Sequence, residues 1–131
     1  MPGTAVIVFT GKNVGTLLND GGSRCWVLNP VRAGSCEYIV CTWNSKSGVG
    51  DQEIAAHGAA FLAGRVSGVV PCWRESIPGR KKSKGHLIQF KEYALINVPD
   101  VWPGQQNPVA YADDVERVIG TKLSGLKWKR V

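Results

Sequence analysis

Apolar residues fall into short runs separated by glycine, proline and polar residues, which predicts a protein built mainly of β-strands. The two clearest runs are rich in β-branched and aromatic residues and lie at Ala5–Thr10 and Glu37–Trp43. The stretch His57–Val70 contains glycines at 58, 64 and 68, so we expect a bent or bulged strand over Phe61–Val70 rather than a helix.

A fourth strand is predicted at Leu87–Val98, where apolar and polar residues alternate in the first part. This segment forms either one strand or two strands divided near Glu92. A final edge strand is expected within Leu126–Val131, whereas Val101–Pro108 is rich in proline and glycine and predicts a loop.

Helical spacing is limited to two short stretches. Val14, Leu17 and Leu18 predict a short helix that ends at the glycine-rich cluster following it. Two aspartates precede Val115–Ile119 and Gly120 follows it, which favours a second short helix. Between them, Cys25–Leu28 is a short apolar segment, and Asn29-Pro30 predicts a turn that leads into a loop at residues 32–35.

The order of elements predicts a mostly β (α+β) fold. We expect a small bent antiparallel sheet or a partly closed barrel of five to six strands, with one to three short helices. Strands and helices do not alternate regularly, which disfavours a parallel, doubly wound fold. With 131 residues, the chain has the length of one ordinary domain, so residues 1–131 are predicted to form a single domain.

Composition excludes several classes of protein. Hydrophobic residues make up 44% and charged residues 20%, so neither a disordered chain nor a fibrous rod is expected. The longest apolar runs are far shorter than the ~20 residues of a membrane-spanning helix, and no membrane partner is predicted. No basic segment followed by a long apolar core is visible at the N-terminus, so we expect a cytoplasmic protein.

The net charge is +6 and is unevenly distributed. The segment Pro71–Gly85 predicts a long loop, projecting as a hairpin arm, that carries Arg74, Arg80, Lys81, Lys82 and Lys84 against a single acid, Glu75. Such a cluster suits phosphate contacts with a polyanion, and RNA or DNA is therefore the expected partner. A solvated basic turn without a ligand is the alternative.

The four cysteines show no metal-binding spacing. Cys25, Cys36, Cys41 and Cys72 lack a C-x-x-C pair, and the two histidines are not spaced as zinc ligands, so we predict no metal and no cofactor. All four cysteines are expected to be reduced, buried thiols. A catalytic thiol with His57 or His86 as its base remains open, although no spacing selects a pair.

Five tryptophans offer flat faces on which unpaired bases could stack. Trp26 and Trp43 are the best candidates, because polar residues that could read a base edge lie nearby, namely Arg24, Asn29 and Asn44. Trp73 stands at the start of the basic loop beside Arg74. Packing in the core is the alternative for Trp26 and Trp43 and the preferred role for Trp102 and Trp128.

Three further residues complete the predicted nucleic-acid site. His57 follows the polar loop of residues 44–53, and the adjacent Gly58 permits close approach of the backbone to a ligand. Arg65 interrupts an apolar strand and either points into a cleft or faces solvent. Arg32 lies in the loop after the first predicted tryptophan site. No serine–histidine–aspartate motif, phosphate-binding glycine loop or paired carboxylates are recognisable, and no catalytic residue is assigned.

The segments Arg24–Gly34 and Glu37–Asn44, followed by His57–Pro71 and Phe90–Tyr111, together resemble PUA-like domains, the group that contains the EVE, ASCH and YTH families. This resemblance implies a pseudobarrel of five or six strands whose concave face binds RNA or DNA, in some members through an aromatic pocket for a modified base. The ASCH signature G-x-K-x-x-E-x-R is absent, and a complete tryptophan cage of the YTH type cannot be aligned.

These observations predict a nucleic-acid-binding domain in which an aromatic cleft holds a base and the basic loop contacts the phosphate backbone. Two alternatives belong to other classes. One is a small enzyme that acts on a nucleotide or RNA through His57, and the other is a protein-interaction module whose basic loop docks on an acidic partner.

Overall fold

The computed structural model of the chain describes residues 3–46, 55–73 and 84–131. Over these ranges the fold is mostly β, as expected, with seven strands in one mixed sheet, three short helices and a 3-10 turn at Leu123–Gly125. The strands are β1 (Ala5–Thr10), β2 (Gly22–Trp26), β3 (Tyr38–Trp43), β4 (Ala60–Trp73), β5 (Lys84–Val98), β6 (Val109–Ala112) and β7 (Lys129–Arg130). The helices are α1 (Val14–Asp20), α2 (Pro30–Ser35) and α3 (Val115–Ile119).

The sheet is open, with the strand order β2-β5-β4-β3-β1-β6 and β7 paired to one side of β5. The expectation of an antiparallel sheet was wrong at one ladder, because β1 and β3 run parallel over Ala5↔Tyr38 to Thr10↔Trp43. Parallel neighbours require a crossover connection, and here α1, β2 and α2 supply it. The buried Thr42 hydroxyl reinforces this ladder by donating to the Val8 carbonyl at 2.8 Å.

Side-chain caps define the helices. In α1, Asn13 Oδ1 accepts from the Thr16 amide, and Gly21 ends the helix at φ 71°, a conformation that favours glycine. In α3, Asp114 Oδ1 accepts from the Arg117 amide, and Gly120 is the C-cap. Both helices were predicted.

The helix α2 was not predicted, because Asn29-Pro30 was interpreted as a turn before a loop. In the structure, Asn29 is the N-cap of α2, and its Oδ1 accepts from the amides of Val31 and Arg32. Proline at the first helical position has a backbone already suited to a helix and no N–H that needs a partner. The same dipeptide thus starts a helix instead of a turn.

The structure decides one alternative in the C-terminal half and adds a strand. Residues 87–98 belong to one continuous strand, β5, as one of the two alternatives predicted, and its pairing with β4 passes over Lys91 at a register shift. The four-residue β6, which follows the predicted proline-rich loop, was not expected. The glycine-kinked strand is confirmed as β4, which is bulged beside Arg65 and Val66.

Two hydrophobic clusters cover the sheet. The larger contains Ile39, Leu62, Ile88 and Phe90, with α1 packed on it through the buried Leu17. The smaller contains Ile7 and Val40 and is covered by α3 through Val115 and Ile119. No helix within the described ranges is long and apolar enough to cross a bilayer.

A disulfide joins Cys25 to Cys72, so the expectation that all four cysteines are reduced was wrong for this pair. The bond ties the end of β2 to the end of β4, with the two Cα atoms 6.2 Å apart. Gly85 of β5 lies between them, and a Cβ there would sit 3.1 Å from Cys25 Cβ. The absence of a side chain at Gly85 therefore lets β2 cross closely over β5. Cys36 and Cys41 are free and buried, as expected.

Candidate nucleic-acid interface

One edge of the sheet collects most of the candidate side chains. Because β1 and β3 are parallel, the residues that follow them, Lys12 and Asn44, emerge at the same edge. The strands β4 and β6 run antiparallel to these neighbours, so the residues that precede them, His57 and Pro108, reach that edge as well. The end of β2 lies close to this group, because its residues Arg24 and Trp26 line the same cleft as Lys12, Asn44 and Pro108.

A cleft of ≈ 360 Å³ lies at this edge. It brings together three residues that the sequence predicted, Arg24, Trp26 and Asn44. The remaining lining residues were not predicted and are Phe9, Thr10, Gly11, Lys12 and Pro108. The signal that could have identified Lys12 is its position just after a buried strand that ends at a glycine.

The Trp26 ring is half-buried and lies between the core and the cleft. Its Nε1–H donates to Ser23 Oγ at 2.8 Å, which fixes the plane of the indole. A second depression of ≈ 710 Å³ borders Trp26 on the side of Val27 and Gln106. Because the indole N–H already has a partner, the chemistry that this residue offers is its flat face.

The charge of the cleft is positive. Lys12 and Arg24 line it, and neither forms an ion pair with another described residue. Asn44 adds an amide group whose Oδ1 accepts from the Lys46 amide at 3.1 Å. A flat aromatic ring, two cations and an amide within one cleft match the groups of a nucleotide, which has a base face, a phosphate and a polar base edge.

Two of the predicted residues are structural and stand outside the cleft. Trp43 is only 3% exposed and packs edge-on against Phe61, with ring centroids 6.0 Å apart. The Asn29 side chain caps α2. Trp43 therefore presents no surface to a ligand, whereas Asn29 is exposed but its Oδ1 is engaged by α2.

Arg65 of β4 and Arg32 of α2 both contact aromatic rings of the same chain. Arg65 pairs with Glu92, at 3.5 Å between Nε and Oε2, and lies over the Trp128 ring at 4.4 Å. Arg32 lies over the Tyr111 ring at 3.9 Å. The structure therefore places both guanidinium groups on aromatic rings and not in the Trp26 cleft.

His57 is exposed beside the cleft. Its Nδ1 lies 2.9 Å from Ser45 Oγ and accepts from the Ser45 backbone N–H at 3.3 Å. The ring meets Phe9 edge-on at 5.1 Å, and Phe9 in turn stacks on Trp102 with nearly parallel planes at 4.8 Å. Ser45 was not singled out from the sequence, because a serine in a polar loop carries no distinguishing signal.

Gly58 serves an internal contact in place of the predicted approach to a ligand. It is buried at φ 83°, and its amide donates to the Trp43 carbonyl at 2.8 Å. Its carbonyl accepts from the amides of Val101 and Trp102. The glycine thus locks the loop that carries Trp102 against the end of β3.

The basic loop is described only at its two ends. Trp73 and Lys84 are paired residues at the ends of β4 and β5, and both are exposed. The remaining predicted residues, Arg74, Arg80, Lys81 and Lys82, lie outside the described residues. The disulfide places the first of these ends next to Trp26, since Cys25 and Cys72 immediately precede the two tryptophans.

The free thiols are poorly suited to nucleophilic catalysis. Burial raises the pKa of Cys41 to about 12. Burial also raises the pKa of Cys36, against smaller opposing effects of a hydrogen bond with Thr4 and the charge of Arg32. Because the thiolate is the reactive form, both residues are inert at neutral pH. No cluster of three potential metal-ligating side chains occurs among the described residues.

Comparison of the chain with known proteins identifies no relative. No protein-family model matches the chain, and neither a curated protein nor a solved structure matches it.

Proposed function

We propose that this chain is a nucleic-acid-binding domain that holds an unpaired or modified base against Trp26, with Lys12 and Arg24 at the phosphate backbone. The observation that carries the proposal is the convergence of these three side chains and Asn44 on one cleft. Aromatic stacking provides affinity for any base, and the cations add a sequence-independent attraction for phosphate.

The overall charge supports the same partner. The chain carries +6, and the end of the basic loop at Lys84 lies on β5, the strand whose His86 pairs with Trp26. We assign the grip on the phosphate backbone to this loop, whose residues between 74 and 83 are outside the described ranges. RNA and DNA share this chemistry, so both belong to the test.

We also propose that the curled sheet is a PUA-like pseudobarrel. In support, the two strands at opposite ends of the strand order, β2 and β6, face each other across the cleft at Trp26 and Pro108. The sheet is open there, so the mouth of the proposed pseudobarrel is accessible to a base.

The decisive test is a fluorescence-anisotropy titration at low salt with single-stranded and double-stranded RNA and DNA, unmodified and modified. Trp26→Ala should weaken binding by about 1–3 kcal/mol per stacked base. Lys12→Ala and Arg24→Ala should each reduce the slope of log affinity against log salt by about 0.7 for a single strand. Arg117→Ala, which removes an exposed cation on α3, is the matched control and should leave both quantities unchanged. Failure of every oligonucleotide to bind would refute the proposal.

A second candidate function is a small enzyme that acts on a nucleotide or RNA through His57. The 2.9 Å contact between Ser45 Oγ and His57 Nδ1 favours it, because a hydroxyl within hydrogen-bond distance of an imidazole nitrogen is the arrangement that a nucleophile and its general base require. Turnover of RNA or nucleotides that His57→Ala abolishes and the control Arg117→Ala preserves would support this function. Turnover unaffected by His57→Ala would exclude it.

The cytoplasmic location is part of the proposal and has its own test. Disulfides are rare in the cytosol, where thiols are kept reduced. Trapping of thiols at the moment of cell lysis reports the state of Cys25 and Cys72. A reduced pair agrees with the cytoplasm, and an oxidised pair indicates an oxidising compartment.

Co-purification of an acidic protein without nucleic acid would favour the protein-interaction alternative.

A further inference from the structure

The hairpin of β4 and β5 continues past the last residues that pair with β3 as a segment that we call the stem, Gly68–Trp73 paired with Lys84–Gln89, with β2 paired to the other side of β5 at Gln89, Ile88 and His86. The register is regular over the whole stem, from Gly68↔Gln89 to Trp73↔Lys84. Directly paired residues share a face, and faces alternate along each strand. Trp73, Lys84, Pro71 and His86 therefore lie on one face of the stem.

This face is continuous with the face of the sheet that carries the larger hydrophobic cluster. The next pair along it, Val69↔Ile88, packs in the larger hydrophobic cluster. Trp26 pairs with His86 and packs against the same cluster, so it lies on this face too. A row of side chains thus leads from the core outwards, with Trp26 and His86 first and Trp73 with Lys84 at the tip.

The backbone segments that carry the two indoles are joined on the opposite face of the stem. Cys25 and Cys72 precede them in sequence, and their Cα atoms are 6.2 Å apart over Gly85. The disulfide therefore fixes the position of Trp26 relative to Trp73 at the point where the stem leaves the core.

The chemistry of this face fits an unpaired strand. Trp73 is 60% exposed, although tryptophan is normally largely buried, and Lys84 beside it forms no ion pair with any described residue. Successive aromatic faces with cations at their rim bind single strands, since every unpaired base has a face to stack. The bases of a duplex are stacked on each other and cannot enter such a row.

We propose that the face of the stem that carries Trp26, Trp73 and Lys84 is a track for single-stranded nucleic acid, with one base on Trp26, a following base on Trp73 and Lys84 at the phosphate next to it. This inference rests on the proposed function and specifies its ligand as a strand of several unpaired nucleotides, rather than a duplex or an isolated base.

The test compares an eight-nucleotide single strand, the same sequence as a duplex, and a mononucleotide, each titrated against the full chain. Trp73→Ala should weaken binding of the single strand about 5- to 150-fold, while Trp73→Tyr, which retains an aromatic face, should lose much less. The duplex should bind at least about tenfold more weakly than the single strand. Leu95→Ala is the control, because it removes an exposed apolar side chain of β5 outside the stem, and it should have no effect on binding.

The outcomes separate this inference from the proposed function. If Trp26→Ala weakens binding and Trp73→Ala does not, the cleft binds nucleic acid but the track is refuted. Equal or tighter binding of the duplex also refutes the track. If the wild-type chain binds none of the three probes, both proposals fall. Because Trp73 is exposed, circular dichroism spectra of the variants should match that of the wild type.

Discussion

The pair β4–β5 is used in two different ways along its length. At the start of β4, residues 60–64 are all buried, with Leu62 in one hydrophobic cluster and Ala60 in the other. In the stem, no residue of β4 is fully buried, and Trp73 is largely exposed. We call the first region the body of the hairpin.

The difference follows from which neighbours the strands have. In the body, β3 pairs with β4 as far as Tyr38↔Arg65, and the smaller hydrophobic cluster covers the second face. Beyond Arg65, β4 no longer pairs with β3. There β2 pairs with β5, and the disulfide joins β2 to β4. One ladder can therefore provide a rigid core at one end and an accessible surface at the other, with the body holding the stem in place.

The largest effect is expected at Trp43 of β3, whose ring packs against Phe61 in the body of the hairpin. Trp43→Ala removes a ring that is 3% exposed and should cost about 3–5 kcal/mol of the free energy of unfolding, measured by urea denaturation. Trp43→Phe should cost much less, because the lost indole N–H has no hydrogen-bond partner among the described residues. Loss of nucleic-acid binding with unchanged stability in Trp43→Ala would mean that this ring contacts the ligand.

Next in size is the disulfide at the junction of stem and body. Its cysteines are 47 residues apart, and a loop of this length stabilises the folded state by about 2–4 kcal/mol through the unfolded chain. A reductant should lower the melting temperature of the wild type but not that of a Cys25→Ser, Cys72→Ser variant. Equal melting temperatures of the wild type with and without reductant would contradict a bonded pair.

A smaller effect is expected from two glycines of the same strand. In Gly64→Ala the new Cβ would lie 2.9 Å from Ile39 Cγ2 and from Phe90 Cγ, and displacing these packed side chains should cost about 1–3 kcal/mol. In the stem, Gly68→Ala meets only the end of the Gln89 side chain, which can rotate away. In thermal denaturation, the melting temperature of Gly64→Ala should be well below that of Gly68→Ala. The reverse order would show that the body is not the better packed region.

The smallest effect on stability is expected at the tip of the stem. Trp73→Ala should change the free energy of unfolding by no more than about 0.5 kcal/mol, because the ring is 60% exposed. Urea denaturation measures this directly. A loss of several kcal/mol would show that Trp73 is a packing residue, and the surface of the stem would then need another explanation.

The sequence predicted the elements whose signals are local. Runs such as Ala5–Thr10 and capped segments such as Val115–Ile119 need no information from the rest of the chain. The signal of α2 was present in Asn29-Pro30, but a turn uses the same residues. The parallel pairing of β1 with β3 and the four-residue β6 depend on the packing of distant segments, and no local pattern specifies them.

The candidate site was predictable in its chemistry but less so in its geometry. Arg24, Trp26 and Asn44 were predicted, and the structure brings them to one cleft. Trp43 has a similar local character to Trp26, namely an aromatic ring at a strand end with a polar residue one to three positions away. Which of the two is buried depends on their places in the sheet, since β3 is central and β2 is at the edge. The disulfide joins residues 47 positions apart, which spacing alone cannot reveal.

The most direct test of the binding surface is an NMR titration of the ¹⁵N-labelled chain with an eight-nucleotide single strand, following the indole N–H resonances. The account predicts that the resonances of Trp26 and Trp73 shift in proportion to the fraction bound, while that of the buried Trp43 stays in place. Binding that shifts Trp43 and leaves Trp26 and Trp73 unchanged would contradict it.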